Sequence, residues 1–405
     1  MKLIRFLPLL LGFAVAGWAA PTSGAPAVSL SNRNLFHELL GKSEAELDAK
    51  LDAAWRHFFQ GDAATQRLYY PVGTDLAYLA DIGSNDVRSE GMSYGMMLAV
   101  QLNHPDEFNR LWQWANTYMR HGDGPRKGYF AWHCKFDGTP IDPGSASDGE
   151  EWFALALFFA AHRWGNHEGI FNYGAEAQTI LRDMRHQPGS AEVVPIFNRE
   201  AKQVVFAPNP VAGRFTDPSY HLPAFYELWA RWSDNPSDRA FWSEAANVSR
   251  AFFHRAAHPA TGLMPDYATF DGRPHRDFQP DKGDFRYDAW RTLANVGLDY
   301  AWWQADPWQV EQSNRVLGFL GRQAPLANQY SLDGKPLSTD SSLGLIAMAA
   351  VAGQAADPAL ARPFVQQLWD APLPSGKWRY YNGLLYCLGL LQAGGRFQAY
   401  GPTQK

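Results

Sequence analysis

Apolar positions recur every three to four residues along most of the chain, and strict alternation of apolar and polar residues is scarce. The spacing predicts twelve helices. They cover Glu44 to Phe59, Val87 to Leu102, Glu107 to Arg120, Asp148 to Trp164, Ala175 to Arg185 and Ser219 to Trp232. The series continues with Arg239 to Ala257, Arg286 to Gln304, Pro307 to Leu320, Ser341 to Ala352, Ala359 to Trp369 and Tyr380 to Leu391. No Pro/Gly/Ser linker separates them, so six helical hairpins sharing one core are expected, an all-α (α/α)6 barrel in a single domain over residues 26–400. Four longer irregular stretches, Tyr129 to Ser147, Gln187 to Pro218, Pro259 to Phe285 and Asn328 to Asp340, are rich in Gly, Pro, Asp and aromatics. Loops of that length in a compact body carry function.

The N-terminus follows another pattern. Lys2 and Arg5 precede an apolar run from Phe6 to Ala16, then small residues at Ala19, Ala20 and Gly24. A positive start, a short apolar stretch and a small-residue cleavage zone are the layout of a bacterial-type export signal, here residues 1–25. Pro21, directly after the best cleavage candidate, leaves the cut site open. The run is too short to span a bilayer, so a secreted or periplasmic protein without a membrane anchor is expected.

Of the 405 residues, 46% are hydrophobic, 14% aromatic and 19% charged, which excludes a disordered chain. The net charge of −5 comes without a basic stripe, which argues against nucleic-acid binding and for a neutral ligand. Cys134 and Cys387 are the two cysteines, leaving one disulfide or two buried thiols open. Nothing in the spacing implies a metal or another cofactor, and a monomer is expected. There is no Gly-x-Ser-x-Gly elbow, phosphate loop or His-Glu-x-x-His helix.

Three acidic clusters open helices. Glu90 stands among small and apolar residues, where burial would keep a carboxyl protonated as a general acid; a helix-dipole role or a pair with Arg88 is the alternative. Asp148, Glu150 and Glu151 begin a strongly apolar helix beside Trp152, where Asp148 is placed either to cap the helix or to bind sugar hydroxyls. Asp288 and Arg291, three apart, can meet on one helix face, as an ordinary ion pair or as part of a site. Asp281 and Asp284 share the segment with Asp288. Aromatic runs around Trp132 and Tyr220 beside loops have the flat apolar faces that pyranose rings require.

The strings SEGMSYGMM, GYFAWH, ASDGEEWFALALFFAAHRWG, FTDPSYHLPAFYELWA and YDAWR, in that order, resemble glycoside hydrolase family 8, and within it the reducing-end xylose-releasing exo-oligoxylanases. The likeness runs from about Leu35 to Arg396. It implies inverting hydrolysis of β-1,4-xylosidic bonds on an (α/α)6 barrel. It further implies Glu90 as general acid, Asp288 as base with Arg291 holding its carboxylate, and Asp148 on the sugar before the cleaved bond. Tyr220 would hold the attacking water, Trp132 would stack beneath a sugar and Tyr380 would bind substrate. Asp281 and Asp284 are rival bases, read as solvated loop charges. In the exo-enzymes, by the same resemblance, a His in the loop ahead of the penultimate helix pair blocks the groove; Ser341 stands there, which admits an endo-xylanase. A β-1,4-glucanase of the same family and a non-catalytic sugar-binding protein are the further alternatives.

Overall fold

The computed structural model describes residues 30 and 32–402. Thirteen α-helices are present among the described residues: α1 Leu35–Leu40, α2 Glu44–Trp55, α3 Ser89–Leu102, α4 Pro105–Trp114, α5 Ser147–Trp164, α6 Tyr173–His186, α7 Pro223–Trp232, α8 Pro236–Ala256, α9 Arg291–Trp303, α10 Trp308–Leu320, α11 Leu343–Ala352, α12 Pro358–Asp370 and α13 Arg379–Ala393. The twelve expected helices are α2 to α13; the six-residue α1 was not expected.

The odd-numbered helices α3, α5, α7, α9, α11 and α13 form an inner ring, and α4, α6, α8, α10 and α12 each pack outside a neighbour of that ring. Within the ring α3 lies against α5, α7 against α9, α9 against α11, α11 against α13, and α13 against α3. The remaining joint, α5 to α7, is made by the Tyr226 hydroxyl donating to Glu151 Oε1 at 2.5 Å and by Trp152 edge-on to Phe225 at 5.0 Å. The ring therefore closes.

Composition explains which helix goes where. Inner helices must be buried on every side, and α11 (LGLIAMAAVA) is apolar all round, with small residues that let neighbours approach. Outer helices need one buried stripe, and α4 buries Phe108, Leu111, Trp112 and Trp114 while leaving Asp106 and Glu107 at its start. One hydrophobic core runs from Leu35 to Phe397. The chain's start and finish meet there, through a bridge from Asn34 to Gly394 and through Asn32 Nδ2 donating to the Gln392 carbonyl at 2.9 Å.

Some short segments depart from the helical expectation. A five-stranded antiparallel sheet, β1 Tyr69–Val72, β2 Leu76–Asp81, β3 Asp86–Arg88, β4 His133–Cys134 and β5 Pro140–Asp142, lies in sequential order. Its third strand runs straight into α3, so the helix expected from Val87 begins at Ser89. In the same way α7 and α9 start later than expected, because the 3-10 turns Pro218–Tyr220 and Asp288–Trp290 precede them.

Cys134 and Cys387 are both free and buried, which settles the open choice in favour of two thiols. No helix among the described residues is long and apolar enough to cross a membrane. The expected export signal over residues 1–25, with Ala19, Ala20, Pro21 and Gly24, lies outside the described residues.

Candidate active site

The site is built where strands and turns feed the inner helices. Arg88 and Glu90 flank the junction of β3 and α3. Val87 and Arg88 pair with Cys134 and His133 of β4, and the Ser89 amide donates to the Trp132 carbonyl at 3.0 Å, so the first turn of α3 is fixed to the sheet. Arg88 turns away from Glu90 to Asp81 (3.2 Å) and Asp86 (3.1 Å), and His133 also reaches Asp86, at 2.7 Å. The pair of Glu90 with Arg88 that sequence spacing allowed is therefore not formed.

Glu90 instead meets Arg291, the first residue of α9. Arg291 Nη1 donates to Glu90 Oε2 at 2.8 Å, to the Tyr94 hydroxyl at 2.6 Å and to Asp148 Oδ2 at 3.1 Å. Its Nη2 donates to Ser219 Oγ at 2.9 Å and lies 3.5 Å from Asp288 Oδ1. One planar guanidinium thus gathers side chains from α3, α5 and the two 3-10 turns, which a point-charge ammonium could not do. The Tyr380 hydroxyl donates to the other oxygen of Glu90 at 3.3 Å. Tyr380 can lie so close because residue 91 is glycine: a Cβ there would stand 2.5 Å from the tyrosine oxygen.

Burial pushes the Glu90 carboxyl up to about 7, with Asp148 and Asp288 adding repulsion and Arg291 opposing them. The Asp148 carboxyl is pushed up to about 6 by burial, again against the pull of Arg291. Asp148 is not the cap of α5: Ala146 holds that position, and the aspartate points to Arg291. Its second oxygen, Oδ1, is buried with no hydrogen-bond partner. The neighbouring acids are structural. Glu150 Oε1 accepts from the Phe130 amide at 3.0 Å and burial raises its carboxyl to about 8; Glu151 is bound by Tyr226.

Asp288 opens a 3-10 turn one turn ahead of Arg291, and its side chain is 25% exposed against 18% for Glu90. Lys282 Nζ lies 3.6 Å from Asp288 Oδ2. The rival carboxylates are engaged elsewhere, Asp284 with Arg276 at 2.7 Å and the exposed Asp281 with Arg286 at 3.4 Å, and neither lines the groove.

That groove, about 580 Å³, is lined by Glu90, Asp148 and Asp288 together with Trp132, Tyr220, Tyr129 and other residues. Tyr220 lies over the Arg291 guanidinium at 5.5 Å, and Asn295 Nδ2 donates to the Ser219 carbonyl at 2.7 Å, which fixes the turn carrying Tyr220. Trp132 is half-buried beside Arg88, 5.8 Å from its guanidinium. The structure thus brings Glu90, Asp148, Arg291, Asp288, Tyr220 and Tyr380 into one cluster, with Trp132 on the groove wall. Four neighbours were not singled out from sequence: Tyr94, Ser219, Lys282 and Asp266. Tyr94 follows Glu90 by four residues and so shares its helix face, a signal that was available. Among the described residues, no group of three or more His, Cys, Asp or Glu side chains is arranged to hold a metal ion.

The chain resembles known proteins over most of its length. The chain is 46% identical to a reducing-end xylose-releasing exo-oligoxylanase of Paenibacillus barcinonensis over 91% of its length and 96% of the relative's. It is 43% identical to the protein of the same description from Halalkalibacterium halodurans, over 91% and 95% of the two chains. A solved family 8 xylobiose complex from Teredinibacter turnerae superposes with a TM-score of 0.89 at 47% identity, covering 92% of this chain and 98% of that one. The model of glycosyl hydrolases family 8 matches residues 80–395. With its six-hairpin ring and this span of likeness, the chain belongs to glycoside hydrolase family 8.

Proposed function

We propose that the protein hydrolyses β-1,4-xylosidic bonds of xylo-oligosaccharides with inversion, releasing xylose from the reducing end. The observation that carries the reading is the pairing of Glu90, whose carboxyl is raised to about 7, with the more open Asp288 across a single arginine fork. Glu90 protonates the departing glycosidic oxygen. Asp288 takes a proton from the water that attacks the opposite face of the sugar. Each carboxylate meets a different nitrogen of Arg291, a disposition suited to the wide spacing of about 6.5–9.5 Å that leaves room for that water.

The other side chains bind and orient. Asp148 Oδ1, without a partner in the protein, accepts a hydroxyl of the sugar just before the cleaved bond. Tyr220 holds the attacking water beside Asp288. Trp132 supplies a flat face for a sugar ring. Tyr380 supports the Glu90 carboxyl from the side away from Arg291 and touches the substrate there. The same reading gives an export signal over residues 1–25, a secreted or periplasmic location, and a monomeric catalytic domain over residues 26–400. No cofactor enters the reaction.

An endo-acting xylanase is the second reading. Ser341 is exposed and small at the place where the resemblance puts a blocking His, and the family 8 protein of Teredinibacter turnerae is described as a xylanase in complex with xylohexaose. Early products from xylohexaose, beside the same oligomer reduced to its alditol, separate the two. Xylose and xylopentaose from the free oligomer, with the alditol resistant, are expected. Mid-sized products from both substrates would replace that reading with endo-cleavage.

A further inference from the structure

Arg291 is not the only cation that reaches Asp288. Lys282 lies in the 3-10 turn Pro280–Gly283, and its Nζ stands 2.9 Å from Asp266 Oδ2 and 3.6 Å from Asp288 Oδ2. Asp266 is fully buried, and its other oxygen accepts from the amide of Ala289, directly after Asp288, at 2.9 Å. One buried carboxylate therefore grips both the backbone beside Asp288 and the lysine over it. The lysine backbone is held as well: the Tyr267 amide donates to its carbonyl at 2.8 Å, and the Tyr267 ring lies 5.5 Å from the ammonium. A free lysine samples many rotamers, so a side chain fixed at this many points is held against a real entropic cost.

The charges around Asp288 show what the lysine does. Glu90 from α3, Asp148 from α5, Asp217 ahead of the Tyr220 turn and Asp266 are the carboxyl groups that face it, with Tyr220, Tyr267 and Tyr381 as neutral neighbours. Against them stand two cations, Arg291 and Lys282. Arg291 is divided among Glu90, Tyr94, Asp148 and Ser219 at 3.1 Å or less, and reaches Asp288 only at 3.5 Å. Lys282 is shared with Asp266 alone. An opposite charge this close favours the charged form of a carboxylate.

We propose that Lys282, anchored by buried Asp266, is a positioning residue that keeps the Asp288 carboxylate charged and aimed. This rests on Asp288 being the general base. The lysine is not among the residues that line the groove; it acts through Asp288.

The test is the kcat–pH profile on xylohexaose for Lys282→Met, Lys282→Arg and Asp288→Asn, each with a thermal melt. Lys282→Met is expected to move the acid limb to higher pH by roughly 1 unit, the low end of what one opposite charge nearby contributes, because Arg291 remains. On that limb its kcat should fall by up to about tenfold for that unit, with KM little changed. Lys282→Arg should return the limb most of the way, which a purely structural role would not require. A cooperatively folded Lys282→Met with the parent's acid limb, alongside an inactive Asp288→Asn, would overturn the proposal and leave the base assignment standing. An Asp288→Asn variant within tenfold of parental kcat would overturn both. If Lys282→Met does not melt cooperatively, Lys282→Gln takes its place with the same two outcomes.

Discussion

The wall of the groove that carries Glu90 and the wall that carries Asp288 face the same arginine, yet they give a carboxyl group different surroundings. Glu90 sits in the first turn of an inner helix, between a tyrosine hydroxyl and the Arg291 fork, with Asp148 close behind it. Dehydration and like charge there outweigh the guanidinium, and the proton stays on. Asp288 sits on a 3-10 turn, more open to water and flanked by two cations. The two residue types are nearly the same chemically. What divides them is the ground each stands on, and the proposed roles of acid and base rest on that difference, the general way one fold runs both halves of a proton exchange near neutral pH.

The sharpest way to break this comparison is to neutralise each wall in turn. Glu90→Gln and Asp288→Asn should each lower kcat on xylohexaose by about a thousandfold or more, with melting temperatures within a few degrees of the parent. A Glu90→Gln variant retaining a tenth of parental activity would remove Glu90 from the role of general acid. A smaller effect lies in pH. Because the acid must carry its proton and Glu90 is raised to about 7, activity should decline as pH rises through about 7, and Glu90→Asp should move that basic limb, measured as kcat/KM. A basic limb fixed in both proteins would place the acid elsewhere.

The smallest expected effect distinguishes a buried acid that works from one that only packs. Glu150 belongs to the same cluster as Asp148, but it is tied to the Phe130 amide. Its folded carboxyl lies near 8, above the unfolded value, so it binds a proton that the unfolded chain gives up. The sign follows: its contribution falls steadily between about pH 4.5 and pH 8. Glu150→Gln, which cannot ionise, should gain about 3 to 4 kcal/mol of stability relative to the parent on going from pH 5 to pH 8, read by denaturant unfolding at both values. Parallel curves for the two proteins would show Glu150 ionised in the fold.

Much of this arrangement could be read from the chain, and the exceptions share a cause. The helices of the ring were legible because each is long and follows one period, including α11, whose lack of a polar face correctly marks an inner position. The sheet was not. Its strands are two to six residues long, and β3 pairs with β4 from beyond two intervening helices, so no local alternation announces them. The starts of α7 and α9 were read early because a 3-10 turn leads into each, and such a turn carries nearly the same spacing as the helix it precedes. At the site, motif strings located Glu90, Asp148, Asp288 and Arg291, but spacing pairs Arg291 with Asp288, while its short contacts go to Glu90, 201 residues away, and Asp148, 143 away. Lys282 was passed over for the same reason. It lies among the charges of a Gly- and Asp-rich loop, and only its contact with Asp266, 16 residues earlier, sets it apart.

The missing side chain at Gly91 has a consequence for anyone diversifying this enzyme. Tyr380 fills the space a Cβ would take, and its hydroxyl reaches Glu90 from there. A saturation library would therefore score position 91 as intolerant alongside Glu90, although the glycine does not line the groove. Its empty space shapes the surroundings of that carboxyl as much as any side chain that touches it.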